Sequence, residues 1–240
     1  MKCAVITGSS SGIGKEISKK LAFQGFDLIL VARNKVNLEK TKKELVEINK
    51  RINIILCIGD ISSPNTLNNI EELVKTNFNK LDVLVNNAGA FDVNSIMSIN
   101  ESTIDTQINI NLKSPILLIQ KLFFYLQKSE NPHILNISSD MSLKANRVAG
   151  VYGATKAALN HVTKSLALEL SEFNIKVNAI APGAVDTPML DKISKLLDLE
   201  LGTLLGSRVA PKEIAEWTSF IIRSKSLTGS IISIDGGNSL

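Results

Sequence analysis

Seven short apolar segments, separated by longer polar or amphipathic stretches, constrain what this 240-residue chain can fold into. Each has the length and aliphatic composition of a strand buried on both faces. They lie at residues 2–7, 27–32, 53–58, 81–85, 133–137, 175–179 and 230–234. Between them the sequence predicts helices at about 13–24, 36–50, 64–77, 103–128, 152–171 and 211–223. Alternating strands and helices are typical of an α/β fold, so we predict a doubly wound parallel sheet with helices on both faces.

The composition narrows the range of partners. With 44% hydrophobic residues, the chain is large enough for one sizeable core, so we predict a single domain spanning residues 1–240. The net charge is +4, but the basic residues are scattered and show no run with interleaved aromatics, so no nucleic-acid partner is expected. Small anionic molecules fit this charge better.

No membrane association is expected either. The longest apolar segment, Pro115 to Leu126, is interrupted by Gln120 and Lys121. The sequence shows no secretory signal, which predicts a cytoplasmic protein.

The two cysteines are widely spaced and match no metal motif. Cys3 and Cys57 each lie in an apolar segment, which predicts buried free thiols and fits a reducing compartment.

A glycine-rich turn joins the first strand to the first helix. The segment from Gly8 to Gly14 reads GSSSGIG, with the spacing Gly-x3-Gly-x-Gly. Such a turn lets main-chain N–H groups approach a phosphate at the N-terminus of the following helix, where the dipole favours negative charge. Glycine–serine turns are also common without this function, so the motif alone is a moderate signal.

Arg33 follows the second strand, 19 residues beyond Gly14. Dinucleotide-binding folds place there either an acid for the ribose hydroxyls or an arginine for a 2′-phosphate. The strand ends Ala-Arg-Asn without an acid, which favours NADP over NAD. A solvated loop arginine is the alternative interpretation, and Ser11 in the glycine turn supplies no second cation.

The segment 136–160 carries the candidate chemistry. Tyr152 and Lys156 are four residues apart and lie on one face of a predicted helix. An ammonium about 4 Å from a phenol, at an effective dielectric of ~20, contributes roughly 4 kcal/mol, which would lower the tyrosine pKa by about 3 units. We therefore expect a phenol that exchanges protons near neutral pH. Ser139 follows the fifth strand, although a Ser-Ser pair there is equally typical of a turn.

Several polar and glycine positions fall where predicted strands end. In a parallel sheet these ends meet at one edge, where ligands bind. The positions are Gly8, Arg33, Asp60, Asn87 and Ser139. Five loops converging on one edge favour a binding site over a purely structural explanation.

Taken in order, the motifs closely resemble the short-chain dehydrogenase/reductase family in its single-domain, Rossmann-type form, and specifically its 3-oxoacyl-thioester reductases. The segment Thr7 to Gly14 is similar to the family's cofactor turn, and 86–89 (NNAG) to its fourth-strand motif. Pro182-Gly183 with Thr187, and Asp235-Gly236-Gly237, are similar to later family segments. The positions at the spacing of the family's catalytic tetrad are Asn111, Ser139, Tyr152 and Lys156. On residue physics alone, a surface position is a serious alternative interpretation of Asn111.

The resemblance implies a role for each position. Tyr152 would be the general acid in carbonyl reduction, and Lys156 would lower its pKa and bind the nicotinamide ribose. Ser139 would hold the substrate oxygen, and Asn111 would support a water in a proton relay. The resemblance also implies that no metal is used. The implied cofactor-binding positions are Gly8, Ser10, Ser11, Gly12, Ile13, Gly14, Arg33, Asp60, Ile61, Asn87, Ala88, Gly89, Tyr152, Lys156, Pro182, Gly183, Val185 and Thr187.

The implied function is an NADP-dependent oxidoreductase that interconverts a small-molecule carbonyl and a secondary alcohol. The substrate stays open between a 3-oxoacyl thioester and a sugar, steroid or specialised-metabolite carbonyl. A non-catalytic NADP-binding regulator is the alternative from another class. Residues 188–207 are expected to form a substrate lid, and Ser142 and Asp140 depart from the family pattern beside Ser139. Relatives form dimers or tetramers, so we expect a homo-oligomer, with a homotetramer favoured.

Overall fold

The computed structural model describes residues 2–240, which contain one parallel seven-stranded sheet. The strands are β1 (Lys2–Thr7), β2 (Phe26–Ala32), β3 (Ile54–Ile58), β4 (Val83–Asn86), β5 (His133–Ile137), β6 (Lys176–Pro182) and β7 (Ile231–Ile234). Their order is β3-β2-β1-β4-β5-β6-β7, and each pairs in parallel with its neighbours. The order reverses between β1 and β4, where this class of sheet binds ligands. The predicted fold class is confirmed.

Helices cover both faces of the sheet. They are α1 (Gly12–Phe23), α2 (Lys35–Ile48), α3 (Pro64–Asn77), α4 (Glu101–Ile108), α5 (Ser114–Leu126), α6 (Gly150–Glu169), α7 (Pro188–Leu197) and α8 (Pro211–Ile221). Adjacent strand residues alternate between two cores. Ile6 packs with residues of α1, α2 and α8, whereas Val5 packs with residues of α3, α5 and α6. This alternation explains why the strands are apolar at every position.

The helix predicted at 103–128 is divided in the structure. A π-helical turn at Asn109–Lys113 separates α4 from α5. Pro115 provides the physical reason, because it lacks the N–H that would bond to the carbonyl of Asn111, and its ring would clash with that carbonyl in a regular α-helix. The widened turn relieves this conflict.

None of the helices within residues 2–240 combines the length and apolar character needed to cross a membrane. Cys3 and Cys57 are both buried and free, as predicted. Burial raises their pKa values, to about 12 for Cys3 and about 11 for Cys57, so both remain protonated thiols at neutral pH.

His133 is a buried imidazole at the start of β5, with 1% of its surface exposed. Asn131 Oδ1 accepts from Lys176 Nζ at 3.0 Å, so the Asn131 amide nitrogen faces His133 Nε2, at 3.1 Å. His133 Nε2 must therefore accept this hydrogen bond, which requires a neutral imidazole ring. Burial, together with the positive charge of Lys176, lowers the pKa of His133 from 6.5 to about 4. His133 therefore has a structural role.

We expect His133 to destabilise the fold in acid. Between pH 6.5 and about 4 the unfolded chain binds a proton that the folded protein excludes, so stability falls as pH falls through this window. The contribution is at most about 3 kcal/mol. Urea unfolding across this range should show a shallower acid loss for His133→Gln. His161→Gln, which alters an exposed histidine, should match the wild type. Parallel curves for all three proteins would refute the assignment.

Candidate active site

A cavity of about 550 Å³ opens at the carboxyl ends of the strands, beside the order reversal between β1 and β4. Most predicted site residues line it, although they come from loops far apart in sequence. The lining includes Gly8, Ser10, Ser11, Gly12, Ile13, Arg33, Asp60, Ile61, Asn87, Ala88, Gly89, Ser139, Tyr152, Lys156, Pro182, Gly183, Val185 and Thr187. Gly14 and Asn111 are not among the residues that line it.

The glycine turn is shaped by contact with the loop after β4. Gly8 has a φ of +67°, and a Cβ there would lie 2.8 Å from Asn87 Nδ2 and 3.0 Å from Ala88 Cα. Asn87 Nδ2 donates to the carbonyls of Thr7 and Gly8, at 2.9 and 3.1 Å. A Cβ on Gly14 would clash with the same Asn87 amide and with the Gly8 carbonyl oxygen. Gly14 therefore serves close packing behind the turn.

The N-terminus of α1 is suited to an anion. Ser11 is its N-cap, but its side chain makes no capping hydrogen bond, and the first turn contains no acidic residue. Ser11, Gly12 and Ile13 line the cavity, so the positive end of the helix dipole faces open space. A dinucleotide pyrophosphate fits this cradle, both in charge and in the space that glycine leaves.

Arg33 and Asp60 form an ion pair at one end of the cavity. Arg33 Nη1 lies 3.6 Å from Asp60 Oδ2, and the arginine side chain is 74% exposed. Asp60 Oδ1 also accepts from the main-chain N–H and hydroxyl of Ser62, at 2.9 and 2.7 Å. Burial alone would raise the pKa of Asp60, but the hydrogen bonds from Ser62 and the charge of Arg33 lower it. The exposed guanidinium can still turn towards a ligand phosphate.

Tyr152 and Lys156 project from α6 into the cavity, as their spacing predicted. Lys156 Nζ is 5.8 Å from the centre of the Tyr152 ring and donates to the Ile137 carbonyl at 2.7 Å. Phe91 packs edge-on against the Tyr152 ring at 4.6 Å between centroids. Ser139 lies at the end of β5, where its Oγ accepts from the Met141 N–H at 3.2 Å. One strand end and one helix therefore position the three groups together.

The expected lowering of the tyrosine pKa is wrong for this state of the protein. Although part of Tyr152 is open to the cleft, desolvation raises its pKa to about 12, against an opposing contribution from Ser139. Burial lowers the pKa of Lys156 to about 8. The sequence argument counted the attraction between the two charges and omitted the burial of both groups, which dominates here. The phenol thus remains protonated at neutral pH, as a proton donor requires.

Asn111 lies in the π-helical turn and is fully buried. Its Oδ1 accepts from the Ala90 N–H at 2.8 Å, and its Nδ2 donates to the Ala90 carbonyl at 2.8 Å and to Thr155 Oγ1 at 3.1 Å. The side chain thus ties the loop after β4 to α6. Because Pro115 supplies no N–H, the main-chain carbonyl of Asn111 is freed from the regular α-helical bond.

Sequence reasoning missed several residues of the cleft. They are Phe91, Met141, Lys144, Asn146 and Asn238. Met189, Leu190, Ile193 and Leu201 also line the cleft, and they belong to the segment 188–207 that the sequence predicted as a lid. For Phe91 a signal existed, since it lies two residues beyond the NNAG motif at a strand end. Among residues 2–240, no group of three or more His, Cys, Asp or Glu side chains is arranged to hold a metal.

The sequence and the fold of this chain are similar to those of known proteins. The short chain dehydrogenase family model matches residues 2–197. A diacetyl reductase [(S)-acetoin forming] of Staphylococcus epidermidis is 35% identical, with 98% of each chain aligned. The 3-oxoacyl-[acyl-carrier-protein] reductase FabG of Thermotoga maritima is 33% identical over 98% of this chain and 97% of that protein. The crystal structure of L-sorbose reductase from Gluconobacter frateurii, complexed with NADPH and L-sorbose, matches with a TM-score of 0.93 at 29% identity, covering 99% of this chain and 96% of that one.

Proposed function

Because this chain belongs to the short-chain dehydrogenase/reductase family of oxidoreductases, we propose that it is an NADPH-dependent reductase that converts a small-molecule carbonyl to a secondary alcohol. One observation carries the proposal. Tyr152, Lys156 and Ser139 meet in the same cleft as a glycine turn and an uncapped helix N-terminus that fit a dinucleotide. Binding NADP without catalysis would not require a buried phenol and ammonium beside the nicotinamide end.

The chain's residues divide the chemistry among them. When bound, NADPH supplies the hydride that the carbonyl carbon receives. Ser139 Oγ donates a hydrogen bond to the carbonyl oxygen, and Tyr152 gives that oxygen its proton. Lys156 as an ammonium stabilises the phenolate left on Tyr152. The freed main-chain carbonyl of Asn111 holds a water that returns a proton from solvent through Lys156. Val185 and Thr187 would border the nicotinamide end of the bound cofactor, and Asp60 with Ile61 would border its adenine end.

Arg33 is proposed to select NADPH. Its exposed guanidinium stands at the adenine end and offers a fork that matches a phosphate. The Asp60 pair competes for that fork, so the preference is moderate. We expect Arg33→Ala to reduce the ratio of kcat/KM for NADPH to that for NADH by on the order of 10-fold to 100-fold. Arg51→Ala removes another exposed arginine, away from the cleft, and should leave the ratio unchanged. A wild type that uses NADH better than NADPH would contradict the assignment.

A carbonyl panel tests the function as a whole. NADPH and NADH consumption should be followed with acetoacetyl thioesters, small ketones and diketones, sugars and steroids. Turnover of any carbonyl supports the reductase. The 3-oxoacyl thioester reductase FabG and the diacetyl reductase are both relatives over almost the whole chain, so thioesters and diketones come first. Tight NADPH binding without turnover of any substrate would favour the regulator instead.

Residues 188–207 are proposed to form the substrate lid. Arg208 holds this segment, because its Nη1 lies 2.6 Å from Asp191 Oδ1 and 3.2 Å from Asp186 Oδ1, while its Nε donates to the Leu201 carbonyl at 3.1 Å. From the other side, Asn238 Oδ1 accepts from the Leu204 N–H at 3.0 Å. A segment anchored at these points can close over a substrate as one unit.

We also propose a cytoplasmic homo-oligomer, a dimer or tetramer. The apolar side chains of α5 and α6 that could form the subunit contact include Leu117, Leu118, Phe123, Phe124 and Leu166. Leu118 is fully buried in the core, which removes it from that set. Phe124 is 60% exposed and Leu168, on α6, is 79% exposed, so these two better represent an uncovered apolar face on α5 and α6.

A further inference from the structure

Asp140 is a buried carboxylate in the cleft to which the reaction above assigns no role. It follows Ser139 directly, is 6% exposed, and lines the cavity. Burial raises its pKa, against hydrogen bonding from Ser139 and the charge of Lys144. A buried acid is costly unless it is well paired, so its position beside the serine calls for an explanation.

Asp140 engages the serine that the reaction needs. Ser139 Oγ donates to Asp140 Oδ1 at 3.0 Å. A hydroxyl has a single proton to donate, so while this hydrogen bond persists Ser139 cannot also donate to a substrate carbonyl oxygen. Binding a simple ketone productively therefore requires breaking the Ser139–Asp140 bond and leaving a buried carboxylate short of a donor, which is unfavourable.

A substrate that brings its own donor removes this cost. If the carbon next to the carbonyl carries a hydroxyl, that hydroxyl can donate to Asp140 while Ser139 turns its proton to the carbonyl oxygen. The carbonyl oxygen and the hydroxyl oxygen are on neighbouring carbons of the substrate, and Ser139 and Asp140 are neighbouring residues of the protein. A carboxylate has about four acceptor sites, and the hydrogen bond from Ser139 Oγ to Asp140 Oδ1 occupies one of them, so capacity for another donor remains.

The surrounding charges favour a neutral substrate. Lys144 and Lys156 line the same cavity and would repel a substrate ammonium. A carboxylate on the carbon next to the carbonyl, as in a 2-oxo acid, would lie directly against Asp140 and be repelled by it. Asn146 and Asn238 add neutral polar groups to the lining, together with apolar side chains that include Phe91 and Met189.

We propose that Asp140 is a specificity-determining residue that accepts a hydrogen bond from the α-hydroxyl of a neutral α-hydroxyketone, which makes this substrate class the preferred one and vicinal diols the products. The inference rests on the proposed reductase function. It goes beyond that function by naming the group next to the reacting carbonyl.

The test compares hydroxyacetone with butanone, in which a methyl group replaces the hydroxyl. Steady-state kcat/KM is measured for both ketones with NADPH and with NADH, in the wild type, Asp140→Leu and Asp140→Asn. The intrinsic reactivities of the ketones cancel when the hydroxyacetone-to-butanone ratio is compared between proteins. We expect Asp140→Leu to lower that ratio by on the order of 10-fold to 100-fold, with butanone turnover unchanged or higher. Asp140→Asn keeps one acceptor oxygen, so its hydroxyacetone-to-butanone ratio should lie between those of the wild type and Asp140→Leu.

Asp105→Asn, which alters an exposed aspartate on α4, should leave the ratio at its wild-type value. Thermal unfolding checks that each variant is folded, and the asparagine variant preserves the test if the leucine variant is not. If the variants at position 140 keep the wild-type hydroxyacetone-to-butanone ratio, or lose activity on both ketones in equal proportion, this inference is overturned. The proposed reductase function is not affected by that outcome. If no carbonyl is reduced with either cofactor, the proposed function fails and takes this inference with it.

Discussion

Replacing Tyr152 by phenylalanine is expected to reduce kcat/KM for carbonyl reduction by on the order of a thousandfold, because the variant lacks the hydroxyl that gives the substrate oxygen its proton. The ring remains, and so does its edge-on contact with Phe91 at 4.6 Å between centroids. The fold and NADPH affinity should therefore change little. The loss should appear in single-turnover reduction, with NADPH binding followed separately by fluorescence titration.

The chain provides a matched control, because Tyr125 is its other tyrosine. It is buried in the core on α5, 7% exposed, and does not line the cleft. Tyr125→Phe should keep wild-type turnover. Reduction by Tyr152→Phe within tenfold of the wild-type rate would show that another group donates the proton. A biological role that survives the Tyr152 change would point to the regulator instead.

Local patterns in the sequence predicted the fold and most of the residues that line the cleft. The strand–turn–helix at Gly8 and the i, i+4 spacing of Tyr152 and Lys156 are each contained within a few residues, so their geometry follows from strand and helix periods. The convergence of Arg33, Asp60, Asn87 and Ser139 followed from the general rule that parallel strands end at one edge. These inferences needed no knowledge of side-chain packing.

Packing decided what the sequence could not predict. Asn87 was expected to line the cofactor, but it also braces the glycine turn through hydrogen bonds to residues about eighty positions earlier. Gly14 was predicted to bind the cofactor, and the structure shows in addition that the turn packs against that amide at this glycine. Contacts between such distant loops have no local signature. The pairing of Arg33 with Asp60 likewise depends on how neighbouring strand ends approach.

The division of the long helix is an intermediate case. Pro115 was visible in the sequence, four residues after Asn111, and its effect on the carbonyl of Asn111 follows from proline chemistry alone. Whether the chain responds by a kink, a break or a π-helical turn depends on the surrounding packing. Here Asn111 bonds to both the Ala90 main chain and Thr155, which anchors the π-helical turn to the loop after β4 and to α6.

The buried lysine leads to the second large effect, a pH dependence of reduction. Burial lowers the pKa of Lys156 from 10.5 to about 8, whereas the pKa of Tyr152 is raised to about 12. In the free protein Lys156 is therefore the group that loses its proton first as the pH rises. Reduction needs Lys156 as an ammonium, because the cation stabilises the phenolate formed on proton transfer. We expect kcat/KM for NADPH, at saturating ketone, to be level below pH 8 and to fall about tenfold per pH unit above it.

Lys156→Met should lower kcat/KM at neutral pH by on the order of a hundredfold, because the ammonium lies 5.8 Å from the centre of the Tyr152 ring. At an effective dielectric of ~20, a charge at that distance contributes roughly 3 kcal/mol to stabilising the phenolate. The decline above pH 8 should also disappear, because the titrating group has been removed. Lys156→Arg keeps a charge that does not titrate in this range, so it should retain part of the rate while losing the inflection. Lys164→Met alters an exposed lysine on the same helix and should reproduce the wild-type profile. An inflection near pH 8 that persists in Lys156→Met would assign it to another residue and remove the ammonium from the proposed mechanism.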